Sequence, residues 1–92
     1  MTEAVHLQIE GRVHGVGFRA FIVREARKRG LRGCVRNLKD GRVEALLIGF
    51  PADLDRVVEV CRRGPAGAYV TGFARGPAQD DGSKDFVELP TA

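Results

Sequence analysis

Between residues 11 and 19 the chain runs Gly-Arg-Val-His-Gly-Val-Gly-Phe-Arg, a spacing suited to capturing an anion. An alternating apolar segment (Val5, Leu7, Ile9) precedes it and an amphipathic helical segment follows. A strand that turns through Gly15 and Gly17 into a helix aims several backbone N–H groups at one spot. The first helical amides have no internal partner there, and the helix dipole is positive. Arg19 falls in the first turn, where its planar fork of donors matches phosphate or carboxylate oxygens. Asn37 stands near the end of a later apolar segment. Its amide donates and accepts hydrogen bonds at once, which suits it to orient a water rather than to act as a base. The chemistry on offer is an anion held beside an oriented water.

Such an arrangement needs particular elements beneath it. The period of two over residues 4–10 predicts a strand with Val5, Leu7 and Ile9 buried. A helix is expected over 18–29, with Phe18, Phe21, Ile22 and Ala26 on its apolar stripe and Gly30 closing it. Strands over 31–38 and 42–50 flank Asp40-Gly41, for which a tight primed turn is expected. Pro51 opens a second helix, along which Leu54, Val57, Val58 and Cys61 recur at helical spacing until Gly64-Pro65. Strands over 69–75 and 85–89 complete the chain.

The order β-α-β-β-α-β plus a short last strand is the split βαβ, or ferredoxin-like, arrangement. This is an α+β fold, an antiparallel sheet with both helices on one face. Residues 1–92 are expected to form one domain, since this length supports a single core. A helix joins the first two strands, so they run parallel, with the third inserted between them. The end of the second strand then shares a sheet edge with the glycine loop. Val35 and Asn37 lie on the same face by alternation, which predicts that Asn37 projects beside Arg19.

Composition narrows the function classes. At 43% hydrophobic and 29% charged, the chain is a folded globular type. Its apolar runs are too short to cross a bilayer, and the first residues lack a basic region followed by an apolar signal core. Cys34 and Cys61 form no CxxC pair, and with His6 and His14 they give no metal-ligand spacing. A cytoplasmic, metal-free protein without membrane partners is expected. Residues 12–42 hold ten of the fifteen basic side chains against two acids, Glu25 and Asp40. That asymmetry suits an anionic ligand. Equally, Arg24, Arg27, Lys28 and Arg29 could be the solvated face of a helix.

The two motifs together resemble those of the acylphosphatase family. Gly11 to Arg19 is similar to its first signature, and Gly33-Cys-Val-Arg-Asn-Leu-Lys-Asp-Gly-Arg-Val-Glu44 to its second. The resemblance implies hydrolysis of a small-molecule acyl phosphate to carboxylate and phosphate, with no cofactor and no metal. It carries the catalytic roles to Arg19 and Asn37. It assigns the phosphate cradle to His14, Gly15, Val16, Gly17 and Phe18, together with Arg19. His14 and Cys34 depart from the family pattern, which more often has glutamine and tryptophan there. A monomer is expected. Two other classes share the fold: an RNA-binding module and a non-catalytic anion sensor. RNA-binding sheets of this type stack bases on exposed aromatics, whereas the third strand here has its only aromatic, Phe50, at its end and the first strand has none. Arg19 could also simply pair with a carboxylate near the C-terminus.

Overall fold

The computed structural model describes residues 1–13 and 17–92. Its elements follow the order β1 (Glu3–Arg12), α1 (Phe18–Lys28), β2 (Arg32–Asn37), β3 (Val43–Gly49), α2 (Pro51–Arg63), β4 (Tyr69–Pro77) and β5 (Phe86–Glu88). They build a five-stranded sheet in the order β4-β1-β3-β2-β5. β3 lies between β1 and β2 and pairs antiparallel with both, so β1 and β2 point the same way. Their C-terminal ends therefore share one edge of the sheet, as the expected topology requires.

Two features differ from expectation. β5 pairs parallel with β2, from Gly33↔Phe86 to Val35↔Glu88, so the sheet is mixed rather than wholly antiparallel. Backbone bonds carry this pairing past both ends of β5, from Gly33 N to Asp85 O and from Leu89 N to Val35 O. The β2–β3 hairpin is present, but its turn is not a primed one. Gly41 N donates to Leu38 O, and Gly41 has a φ of 96° while no non-glycine among the described residues has positive φ. Lys39 and Asp40 thus keep ordinary dihedrals and Gly41 alone takes the left-handed position, as in a three-residue hairpin loop with a glycine bulge.

The helices begin and end where local chemistry dictates. α1 closes in a Schellman motif: Gly30, with φ 70°, donates to Arg27 O, and Leu31 N donates to Ala26 O. α2 opens with Pro51 in its first turn and runs to Gly64, whose N–H donates to Val60 O. Phe18, Ile22 and Ala26 of α1 and Leu54, Val57, Val58 and Cys61 of α2 are buried. They pack over Val5, Leu7, Ile9, Val35, Val43, Ala45 and Leu47 of the sheet. Phe21 is only partly buried and sits at the margin of this core.

Leu7, fully buried in the interior strand β1, is a measure of how much the core contributes. Leu7→Ala is expected to cost about 2–5 kcal/mol through lost burial and an unfilled cavity. In urea denaturation this appears as a lower midpoint with an unchanged slope.

Candidate active site

Gly17 ends the turn into α1 with φ 73° and ψ 26°, a left-handed conformation that suits glycine. Its carbonyl accepts from Phe21 N at 2.9 Å. No side chain of the described residues caps the helix, which leaves the amides of its first turn open to an outside acceptor. Arg19 rises from this turn. Asn37 is the last residue of β2 and lies two positions beyond the fully buried Val35, on the same helix-covered face. Gly17, Phe18, Arg19 and Asn37 all line one cleft of about 280 Å³, completed by Val13, Ala20 and Glu88.

Asn37 is only 8% exposed. Its Oδ1 is buried and has no hydrogen-bond partner among the described residues. Leaving such an oxygen unpaired costs about 1–3 kcal/mol, and native structures tolerate it mainly where a water, ion or ligand fills the need. The backbone around it is well anchored. Ala92 N donates to Asn37 O at 3.0 Å, and Lys39 N donates to Ala92 O at 2.8 Å. Residues 89–92 thus continue alongside β2 and hold the end of the strand in place. That clamp was not legible in the sequence, because residues 90–92 carry no strand pattern.

Arg19 meets a carboxylate in this cleft. Its guanidinium lies 3.0 Å from Glu88 Oε2, with the two side chains 35% and 42% exposed. The plain alternative, pairing with a late carboxylate, therefore holds together with membership of the cleft. The recorded contact uses one terminal nitrogen of the fork, and guanidinium carries five N–H donors in all. Partly solvated pairs of this kind are weak and exchange readily, so Glu88 does not lock Arg19 away from an incoming anion.

Elsewhere four of the other nine basic side chains of residues 12–42 are paired in space. Lys28 pairs with Glu25, Arg32 with Asp80, Arg36 with Glu44 and Arg42 with Asp40. Arg36 and Arg42 are accordingly half-buried ion-pair members rather than free surface charges. Arg24, Arg27, Lys28 and Arg29 are exposed, as a solvated helix face requires. On the uncovered sheet face His6 Nε2 lies 2.9 Å from Glu44. Burial opposes the charge on Glu44, but hydrogen bonds from His6 and Arg36 outweigh it and hold the carboxyl below its ordinary range.

Neither cysteine suits nucleophilic work. Cys61 is fully buried on the inner face of α2, and burial pushes its thiol up to about 12. Cys34 is only partly covered, because alternation turns it to the uncovered face of β2, opposite Asn37. Desolvation, with Asp81 nearby, still raises its thiol pKa, which disfavours the reactive thiolate. No group of three or more metal-ligating side chains is assembled among the described residues. Among the described residues, no helix is long and apolar enough to cross a membrane.

The cleft thus unites Gly17, Phe18, Arg19 and Asn37. His14, Gly15 and Val16, the remaining members of the expected phosphate cradle, lie outside the described residues.

Comparison with known proteins agrees with this architecture. The acylphosphatase family model matches residues 5–87. An acylphosphatase of Rhizobium etli is 46% identical over 86 residues, spanning 92% of each chain. The crystal structure of acylphosphatase from Bacillus subtilis superposes with a TM-score of 0.90 at 37% identity, covering 97% of this chain and 99% of that one. The same fold matches part of full-length HypF, crystallised in a phosphate- and nucleotide-bound form. There the TM-score is 0.92 at 25% identity, over 99% of this chain but only 12% of that protein. On the family match and these identities, the chain belongs to the acylphosphatase family.

Proposed function

We propose that the cleft hydrolyses acyl phosphates, with Arg19 and the loop amides holding the phosphoryl group and Asn37 orienting the attacking water. The observation that carries this reading is the buried, unpartnered Oδ1 of Asn37 in the same cleft as Arg19. An acyl phosphate already has a good leaving group. The remaining tasks are to grip the phosphoryl oxygens, spread their charge and aim one water in line.

In this reading Arg19 leaves Glu88 and takes two phosphoryl oxygens through its fork. Backbone amides of His14 to Phe18 serve the others; Val13 and Gly17, which bracket the first three of these, both line the cleft. Asn37 Oδ1 accepts a hydrogen bond from the water, turning its lone pair toward phosphorus. The new bond forms between water oxygen and phosphorus. The phosphorus–oxygen bond to the acyl group breaks, and the carboxylate leaves with the bonding pair. The water's proton passes to a phosphoryl oxygen, so no side chain serves as base. Nothing in this scheme requires a metal.

The competing RNA-binding reading fits less well. Even-numbered residues of β1 face the uncovered side, so His6 and Gln8 stand there beside Glu44 and Leu46 of β3. These positions offer no Phe, Tyr or Trp on which a base could stack.

The test is hydrolysis of benzoyl phosphate by purified protein, before and after exhaustive EDTA treatment. Equal rates well above spontaneous hydrolysis are expected. A well-folded protein that leaves benzoyl phosphate untouched overturns the assignment, and loss of activity on chelation overturns metal independence.

A further inference from the structure

A groove of about 440 Å³ runs along the outer side of α1 and is lined by Ala20, Val23, Arg24, Arg27 and Glu88. It shares Ala20 and Glu88 with the cleft that contains Arg19 and Asn37. The two hollows are therefore neighbours on one surface. We propose that this groove seats the acyl group of the substrate and selects acyl phosphates whose acyl chain ends in a second anionic group. The inference rests on the acyl phosphate reading of the cleft and names the substrate class within it.

Residues 20, 23, 24 and 27 follow i, i+3, i+4 and i+7 spacing, so they form one face of the helix. Ala20 and Val23 supply an apolar floor for a hydrocarbon stem. Arg24 and Arg27 supply the far wall. Side chains on a helix lean toward its N-terminus, and Arg24 does so over Phe21, while Arg27 is anchored at Phe86 O. Arg24 lies about 6 Å along the helix axis from Ala20, a distance that a chain of five or six carbons bridges.

Donors remain for an anion at that point. Arg27 spends its Nε–H on Phe86 O at 3.0 Å, and neither Arg24 nor Arg27 has an ion-pair partner among the described residues. Arg24 lies over the Phe21 ring at 6.0 Å, which limits its wandering without occupying its donors. Once Arg19 turns to the phosphoryl group, Glu88 is one carboxylate facing the two guanidinium groups of Arg24 and Arg27, so the groove keeps a net positive charge. By contrast, the hollow at the β2–β3 hairpin is lined by two carboxylates, Glu10 and Asp40, against Arg42 alone. An anionic tail is repelled there and drawn along α1 instead.

The experiment compares two substrates of equal length, hexanoyl phosphate and the monophosphate of adipic acid. They differ only at the sixth carbon, counting the reacting carbonyl as the first, which is a carboxylate in one and a methyl in the other. The native protein is expected to show a kcat/KM about fivefold or more higher for the adipoyl compound, since each exposed ion pair contributes up to about that factor. The preference should shrink as salt rises toward 1 M. In Arg24→Gln, and more completely in the double variant with Arg27→Gln, the ratio of the two constants should fall to about one. A general folding defect lowers both constants and leaves their ratio in place, so the ratio isolates the subsite. Arg24→Gln is the cleaner variant, because Arg27 also binds the β5 backbone. Equal hydrolysis of the two substrates by native protein, or a preference that survives in the double variant, overturns the subsite alone. Failure to hydrolyse either substrate overturns the activity beneath it, and the subsite with it.

Discussion

Arg19→Ala is expected to lower kcat/KM for an acyl phosphate by about 10³-fold, in line with the loss of a charged donor aimed at transferring phosphoryl oxygens. The side chain stands in the first turn of α1 and lines the cleft with Asn37. Both ground-state phosphate and the transition state would contact it. The defect should therefore appear in KM as well as in kcat, and inorganic phosphate should inhibit the variant more weakly. Arg19→Lys keeps the charge but loses the planar fork, so it should recover only a minor part of the lost rate. Steady-state kinetics with phosphate as competitor distinguishes these effects. An Arg19→Ala variant with native kcat/KM would remove Arg19 from the chemistry and leave the Glu88 contact as its only role.

Asn37→Ala is expected to behave differently. Its proposed partner is the attacking water, which is ordered most strictly in the transition state. The variant should lose about 10²–10³ in kcat, with phosphate inhibition close to native. A fall in kcat without weaker ligand binding is the mark of an interaction made only in the transition state. The fold should not suffer. The side-chain oxygen that disappears is buried and unpaired among the described residues, so its removal takes away a desolvated acceptor rather than a bond. Circular dichroism melts of native and Asn37→Ala protein should coincide, or the variant should melt slightly higher. A large drop in melting temperature would assign Asn37 to structure instead.

The framework of this site was legible because each element carries an unambiguous period. Val5, Leu7 and Ile9 alternate, and Leu54, Val57, Val58 and Cys61 repeat at helical spacing; all are buried. From that order alone β1 and β2 had to run parallel around β3, which brings Asn37 to the Arg19 edge. The edge strand was harder to place. β5 has only three residues, too few for periodicity to show which strand it joins or in which direction. Glu88 therefore entered only as a nameless late carboxylate, and the backbone clamp from Ala92 to Asn37 had no signal at all. Charge misled in the same way. Residues 12–42 are basic in sequence, yet Arg32 and Arg19 find partners in Asp80 and Glu88, far along the chain. Likewise, Asp40-Gly41 announced a hairpin correctly, but the single positive φ at Gly41 also suits a longer turn.

The claim at the centre of this account is that the cleft aims water at phosphorus. Hydrolysis of benzoyl phosphate in water enriched in oxygen-18, followed by mass analysis of both products, tests it most directly. The label is expected in inorganic phosphate, with benzoate unlabelled, because the phosphorus–oxygen bond is the one that breaks. Label in benzoate instead would mean attack at the acyl carbon, and would contradict the roles given to Arg19 and Asn37.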